Sequence, residues 1–177
     1  MAKMRLIIDS ARRLGSRSIR VSPGHSEDPA TIPQIAPLLA ESAAYAEAAG
    51  VYLGMENHGG SLAGNPADSA QLCEAVGNPH FGVLYEPSNL WGIKVDFREA
   101  FEVMKDHIVH CHLKDGAWVD GTYQRCHLGE GEVDTSWVVE ALEGIGYEGD
   151  YALEYEIADI EPMETGLAKW VEYFLTV

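Results

Sequence analysis

Cysteine is scarce in this chain of 177 residues, and the cysteines present are not spaced as pairs. They are Cys73, Cys111 and Cys126, an odd number that contains no C-x-x-C motif. This pattern argues against a disulfide framework and against the common cysteine-rich zinc sites. It favours a reducing compartment, so we expect a cytoplasmic location.

Basic residues are also few. The chain has 12 Lys and Arg against 28 Asp and Glu, which gives a formal net charge of −16. A protein that binds nucleic acid through its backbone needs cationic side chains to replace counterions, so nucleic acid is excluded as the expected partner. No apolar run is long enough to span a membrane, and the run Leu6-Ile7-Ile8 is too short for a signal peptide.

Helix-like and strand-like segments alternate along the chain. Predicted strands cover 18–21, 51–56, 81–85, 108–113 and 151–156, and predicted helices cover 3–14, 35–49, 66–76, 96–105, 134–145 and 163–175. The Gly-rich, polar segment 116–133 is predicted to be a long loop. Short connections between alternating strands and helices indicate βα units and a parallel sheet, so we expect one α/β domain over residues 1–177.

Acidic and imidazole side chains end four successive predicted strands. They are Glu56, Glu86, His112 and either Glu154 or Glu156, a choice that spacing alone leaves open. Functional groups of parallel α/β folds collect at the C-terminal ends of the strands. Carboxylates gathered there would repel one another unless a cation compensates them. One imidazole and three carboxylates suit a divalent ion such as Mn²⁺, Mg²⁺ or Co²⁺, with Zn²⁺ as a further candidate.

An ordered set of motifs resembles a known family. The segments are 56–60 (ENHGG), 85–90 (YEPSNL), 110–115 (HCHLKD), 128–134 (LGEGEVD) and 146–156 (GYEGDYALEYE). Together they resemble the xylose isomerase-like TIM barrels, and within them the sugar phosphate isomerase/epimerase family. The resemblance covers nearly the whole chain.

The resemblance implies a metal site and a substrate site. The metal ligands carried over are Glu56, Glu86, His112 and Glu154, which favours Glu154 over Glu156. The family usually has Asp where this chain has Glu86, so geometry or metal preference is expected to differ there. The residues implied to contact substrate are Asn89, His58, Lys114 and Arg125.

The function implied is that of a divalent-metal-dependent sugar isomerase or epimerase. Glu56 and Glu154 would transfer protons on opposite faces of a sugar or polyol, through an enediolate that the metal stabilises. The alternatives are an inactive metal- or sugar-binding fragment, a polyol dehydratase and a hydroxypyruvate isomerase. An apurinic endonuclease is least supported, because the chain is strongly acidic.

The family barrel has eight βα units, but only five strands are countable here. By register, segment 18–21 matches the fourth barrel strand. We therefore expect a partial (β/α)8 barrel made of the last five strands, lacking the first three. A truncation is favoured over a naturally short form that closes its sheet by forming a homo-oligomer. Exposed sheet edges favour such association in either case.

Overall fold

The computed structural model describes residues 2–177, which contain seven α-helices and seven β-strands. The helices are α1 (Ala2–Leu14), α2 (Ile32–Ala49), α3 (Pro66–Val76), α4 (Pro87–Gly92), α5 (Phe97–Met104), α6 (Thr135–Gly144) and α7 (Met163–Phe174). The strands are β1 (Ser18–Val21), β2 (Tyr52–Glu56), β3 (Phe81–Tyr85), β4 (Ile108–Leu113), β5 (Asp115–Val119), β6 (Thr122–Cys126) and β7 (Tyr151–Leu153). Among residues 2–177, no helix is both long and apolar enough to cross a membrane.

Five of the strands form one sheet in the order β1-β2-β3-β4-β7. The pairs β1–β2, β2–β3 and β4–β7 are parallel. Helices connect successive strands, as parallel pairing requires. The predicted α/β class and the count of five parallel strands are confirmed.

The chain divides into two compact units. The first contains the residues up to Tyr85 and Arg98–His110, and the second contains Glu86–Phe97 and Cys111–Val177. Strand β4 contributes residues to both units. The expectation of a single domain over 1–177 stays a prediction.

The two faces of the sheet in the first unit differ in chemistry. Leu53, Met55 and Val83 share one face and are fully buried. On the other face Gly54 pairs in register with Gly82. A Cβ at Gly82 would overlap the carbonyl oxygen of His107. The absence of side chains here therefore allows the backbone of the following segment to approach β3 closely.

Helix ends follow simple capping chemistry. The Asn65 side chain accepts the backbone N–H groups of Ala67 and Asp68 at the start of α3. Gly50 and Gly77 end α2 and α3 at positive φ angles of 71° and 62°, which glycine adopts without steric cost. Asp134 caps α6, and its carboxylate accepts the N–H of Trp137 at 3.1 Å.

A β-hairpin replaces most of the predicted loop at 116–133, so that prediction was wrong. Strands β5 and β6 pair antiparallel, and the turn between them holds Asp120 and Gly121 at φ angles of 50° and 79°. Asp-Gly is a strong hairpin signal because both turn positions need positive φ. The polar composition of the segment concealed it.

Two further boundaries differ from the prediction. The short helix α4, which was not among the predicted helices, begins directly after β3 with Pro87 at its first position. Strand β7 ends at Leu153 and not at Glu156. It ends there because its partner β4 stops at Leu113, the residue paired with Leu153.

The loop that follows the hairpin is held by one buried side chain. The carboxylate of Asp115 accepts backbone N–H groups at 2.8–3.1 Å. The donors are Gly116, Gly129, Gly131 and Val133. Asp115 is 1% exposed. This carboxylate therefore replaces the regular backbone pairing that a loop lacks.

Candidate functional site

Glu86 lies at the junction of β3 and α4 in the second unit and is completely buried. One carboxylate oxygen, Oε1, accepts the backbone N–H of Ser88 at 2.9 Å, so Glu86 is the N-cap of α4. Burial raises the pKa of Glu86 to about 8, while the charges of Lys114 and His112 oppose that rise and Glu154 adds to it. A carboxylate in this environment favours a cation beside it.

His112 and Glu154 lie at the neighbouring ends of β4 and β7. His112 pairs in register with Ala152, and the N–H of Glu154 donates to the carbonyl of Leu113 at 3.0 Å, one step beyond the paired residues. The distance from His112 Nδ1 to Glu154 Oε1 is 3.5 Å. Hydrogen bonding to His112, together with Lys114, lowers the pKa of Glu154 to about 2 against the effect of burial. Glu154 is therefore ionised at neutral pH.

Lys114 places a buried cation among these groups. Its Nζ donates to Glu154 Oε2 at 2.6 Å and to Glu156 Oε2 at 2.9 Å. Burial alone would lower the pKa of Lys114, but the carboxylates of Glu86, Glu154 and Glu156 outweigh it and raise the pKa. Lys114 is thus an ammonium ion at neutral pH, not a neutral amine able to act as a nucleophile.

Glu56 ends β2 in the first unit and is 8% exposed. Arg20 Nη1 donates to Glu56 Oε2 at 2.6 Å. Arg20 pairs in register with Gly54, so Arg20 and Glu56 lie on the same face of the sheet. Arg20 was not predicted to be a site residue. The sequence offers one hint of its role, because Arg20 is a cation between the apolar residues Ile19 and Val21 in a four-residue strand.

The remaining predicted substrate residues have separate surroundings. His58 is exposed in the first unit, with its ring Nδ1 2.9 Å from the carbonyl oxygen of Gly59. Asn89 lies in α4, and its buried Nδ2 has no hydrogen-bond partner within residues 2–177. Arg125 lies on β6 and forms an ion pair of 3.8 Å with Asp159.

The second unit therefore brings together four of the predicted residues, namely Glu86, His112, Lys114 and Glu154. It also adds Glu156 through Lys114. His112 and Glu154 are candidate metal ligands of this unit, and Glu56 is a candidate ligand of the first unit. The donor types, carboxylate oxygen and imidazole nitrogen, fit a divalent cation.

The hairpin is connected to the start of α4. The hydroxyl oxygens of Ser88 and Tyr123 are 2.6 Å apart, so β6 is linked to the helix that Glu86 caps. The Tyr123 ring also lies against Gly92, where a Cβ would meet ring carbon Cδ1 at 3.0 Å. The hairpin thus forms part of the surroundings of Glu86, and this contact was not predicted.

Comparison with protein families gives one match across the chain. A family model described as "Xylose isomerase-like TIM barrel" matches residues 1–175. An uncharacterized protein of Methanocaldococcus jannaschii is 26% identical over 121 residues, which are 66% of this chain and 41% of that protein.

Solved structures show the same fold. A xylose isomerase domain protein from Planctomyces limnophilus has a TM-score of 0.76 at 21% identity, covering 99% of this chain and 64% of its own. A xylose isomerase-like TIM barrel protein from Mycobacterium smegmatis in complex with magnesium also has a TM-score of 0.76. It is 19% identical, and the match covers 86% of this chain and 59% of that one. The chain therefore spans about 64% and 59% of these two relatives.

Sugar epimerases and a dehydratase also occur among the structural neighbours. They include an L-ribulose 3-epimerase, with a TM-score of 0.69 at 23% identity over 86% of this chain and 52% of the neighbour. A probable 3-DHS dehydratase from Bacillus anthracis has a TM-score of 0.74 at 15% identity over 95% of this chain and 69% of its own. At these identities the likeness concerns the fold.

Proposed function

Because the chain belongs to the family of xylose isomerase-like TIM barrels, we propose that it is a divalent-metal-dependent isomerase or epimerase of sugars or polyols. The observation that carries the proposal is the cluster in the second unit. A fully buried carboxylate, Glu86, shares its surroundings with His112, Glu154 and the ammonium of Lys114. The sugar epimerases among the structural neighbours support the reaction class.

The proposed metal ligands are Glu56, Glu86, His112 and Glu154. When bound, the ion would supply Lewis-acid polarisation of a carbonyl and its neighbouring hydroxyl. The donor chemistry is consistent with Mn²⁺, Mg²⁺ or Co²⁺, and Zn²⁺ suits the imidazole equally. A magnesium complex and a protein with a bound zinc atom occur among the fold relatives.

The proposed acid–base groups are Glu56 and Glu154. Each has one carboxylate oxygen bound by a cationic side chain, Arg20 for Glu56 and Lys114 for Glu154. These contacts orient the carboxylates. Hydrogen bonding to His112, together with Lys114, also makes Glu154 a weaker base than an ordinary glutamate, because it lowers the pKa of Glu154 to about 2. To accept a proton efficiently, Glu154 must therefore lose part of its contact with His112 and Lys114.

The proposed substrate contacts are Asn89, Lys114, His58 and Arg125. Asn89 has the clearest support, because its buried Nδ2 is a donor without a hydrogen-bond partner in the described chain. Buried donors are normally satisfied, so a substrate oxygen is a suitable acceptor. The expected ligand is a small polyhydroxylated molecule.

Metal binding is tested first by thermal unfolding in chelator and then with each of the four ions. An ion that binds only the folded chain raises the melting temperature, by an amount that reflects about 2.7 kcal/mol at one hundred times Kd. The rise should disappear in His112→Ala. No rise with any ion would contradict the metal site.

Proton transfer is then tested by NMR in D₂O with a panel of ketoses, aldoses and cyclic polyols. The expected result is metal-dependent exchange of a C–H next to a carbonyl. Exchange should be lost in Glu56→Gln and Glu154→Gln while metal still binds, and kept in Glu140→Gln on the exposed surface of α6. Metal binding without exchange on any compound would refute the enzymatic proposal.

A further inference from the structure

Lys114 is a cation enclosed by carboxylates and shared between two of them. Its side chain is 8% exposed, that of Glu154 is 21% exposed and that of Glu156 is 45% exposed. The shorter contact, 2.6 Å, joins Lys114 to the more buried Glu154, and the longer, 2.9 Å, joins it to Glu156. An ammonium group has three donors, so it can hold both partners at once.

The charge of Lys114 affects how Glu154 can bind a metal ion. A buried carboxylate requires compensation, and in the second unit Lys114 provides it for Glu154 through the contact of 2.6 Å. A divalent ion at Glu154 would lie close to the ammonium, and like charges repel strongly where water is excluded. Lys114 and a divalent ion therefore compete for Glu154.

Glu156 gives Lys114 a second carboxylate partner close to the first in the sequence. Glu154 and Glu156 are two residues apart, and both contact the same Nζ. Because Glu156 is the more exposed of the two, it can keep the ammonium near water while Glu154 turns away. The other oxygen of Glu154, Oε1, already faces His112 Nδ1 at 3.5 Å.

We propose that Lys114 is a built-in counter-cation that yields Glu154 to a divalent metal ion, and that Glu156 retains Lys114 after the exchange. The inference rests on the metal site of the proposed function. It assigns Lys114 and Glu156 the role of positioning residues that set the affinity for the ion.

The test is the Mn²⁺ affinity of the whole chain, measured by the electron paramagnetic resonance signal of unbound Mn²⁺. Lys114→Met removes the competing ammonium group and should tighten Mn²⁺ binding about tenfold or more. This gain is smaller than the full Coulomb repulsion between an ammonium group and a divalent ion at close range. Glu156→Gln leaves Glu154 as the main partner of Lys114 and should weaken binding at least about threefold. The two variants thus shift the affinity in opposite directions.

Controls separate this role from general effects of charge and folding. Lys169 and Glu161 form an ion pair of the same length, 2.6 Å, on another part of the second unit, so Lys169→Met and Glu161→Gln should leave the Mn²⁺ affinity unchanged. Lys114→Gln, which keeps a donor, serves if Lys114→Met does not fold. Lys114→Arg retains the charge and should keep the affinity near that of the unmodified chain.

Weaker or unchanged Mn²⁺ binding in Lys114→Met would overturn the inference, as would shifts of the same sign in both variants. Absence of Mn²⁺ binding in both the unmodified chain and Lys114→Met would overturn it as well. Opposite shifts without proton exchange on any sugar would refute the proposed enzyme but support the role of Lys114. Exchange without opposite shifts would refute the role of Lys114 alone.

Discussion

Replacing Asp115 by alanine removes the side chain that holds the loop after the hairpin. Four backbone N–H groups lose their acceptor, and two of these hydrogen bonds, from Gly116 and Val133, are buried. A buried donor left without a partner costs about 1–3 kcal/mol, so the two buried groups account for roughly 2–6 kcal/mol. Burial raises the pKa of Asp115, although the four hydrogen bonds act to lower it. Desolvation of the carboxylate therefore offsets part of the stability that the hydrogen bonds provide. We expect a net loss of about 3–4 kcal/mol.

Urea unfolding, followed by the fluorescence of the four tryptophans, measures this loss. Asp115→Asn keeps one acceptor oxygen and should lose about 1–2 kcal/mol. Glu130→Ala, at an exposed position of the same loop, should change stability by less than about 0.5 kcal/mol. Hydrogen exchange of the Gly129 and Gly131 amides should accelerate in Asp115→Ala. A loss in Asp115→Ala no larger than that in Glu130→Ala would refute the assigned role of the carboxylate.

Three further predictions concern substitutions of single residues. Burial raises the pKa of Glu86 from an ordinary 4.5 to about 8, so its contribution to metal-free stability is complete below pH 4.5 and is lost as the pH rises through 8. In chelator, Glu86→Gln should therefore flatten the fall in urea midpoint between pH 5 and 9, and an equally steep fall in both proteins would contradict this. Gly82→Ala should cost about 1–3 kcal/mol because the new Cβ overlaps the carbonyl oxygen of His107. Gly144→Ala, where a Cβ meets nothing within 4 Å, should stabilise the chain by about 0.5 kcal/mol in the same urea assay. Equal effects of the two substitutions would be inconsistent with the described packing. Tyr123→Phe removes the hydrogen bond to the serine hydroxyl of α4 and should cost about 1 kcal/mol, whereas an unchanged midpoint would show that this bond contributes nothing.

Strands β2 and β3 were predictable because they are almost entirely buried. Strands β1, β3 and β4 have the predicted bounds, and β2 begins one residue later than predicted. Parallel strands covered on both faces have short apolar runs bounded by turn residues, and such runs are visible without knowledge of tertiary contacts. The hairpin was missed for the opposite reason. Its strand β6 is largely exposed and polar, so it lacks an apolar pattern.

The partners of the site residues were not predictable from spacing. Arg20 and Glu56 are 36 residues apart, and Lys114 and Glu154 are 40 residues apart. Which side chains meet at such separations is fixed by strand register, and a shift of one residue would turn each of them to the opposite face. The sequence predicted which groups end the strands, but not that two of the carboxylates are bound by cationic side chains. Glu156, left open against Glu154 by spacing, is connected to it through Lys114.

The hairpin of β5 and β6 is a suitable place for an engineered insertion. Its first and last residues, Asp115 and Cys126, are paired with each other, so the chain enters and leaves the hairpin at neighbouring points. Its tip at Asp120 and Gly121 is exposed. Extra residues inserted at the tip would lengthen the hairpin without changing the distance between its ends. A fluorophore or a short binding peptide placed there would be carried by the hairpin while β4 and α6 keep their positions.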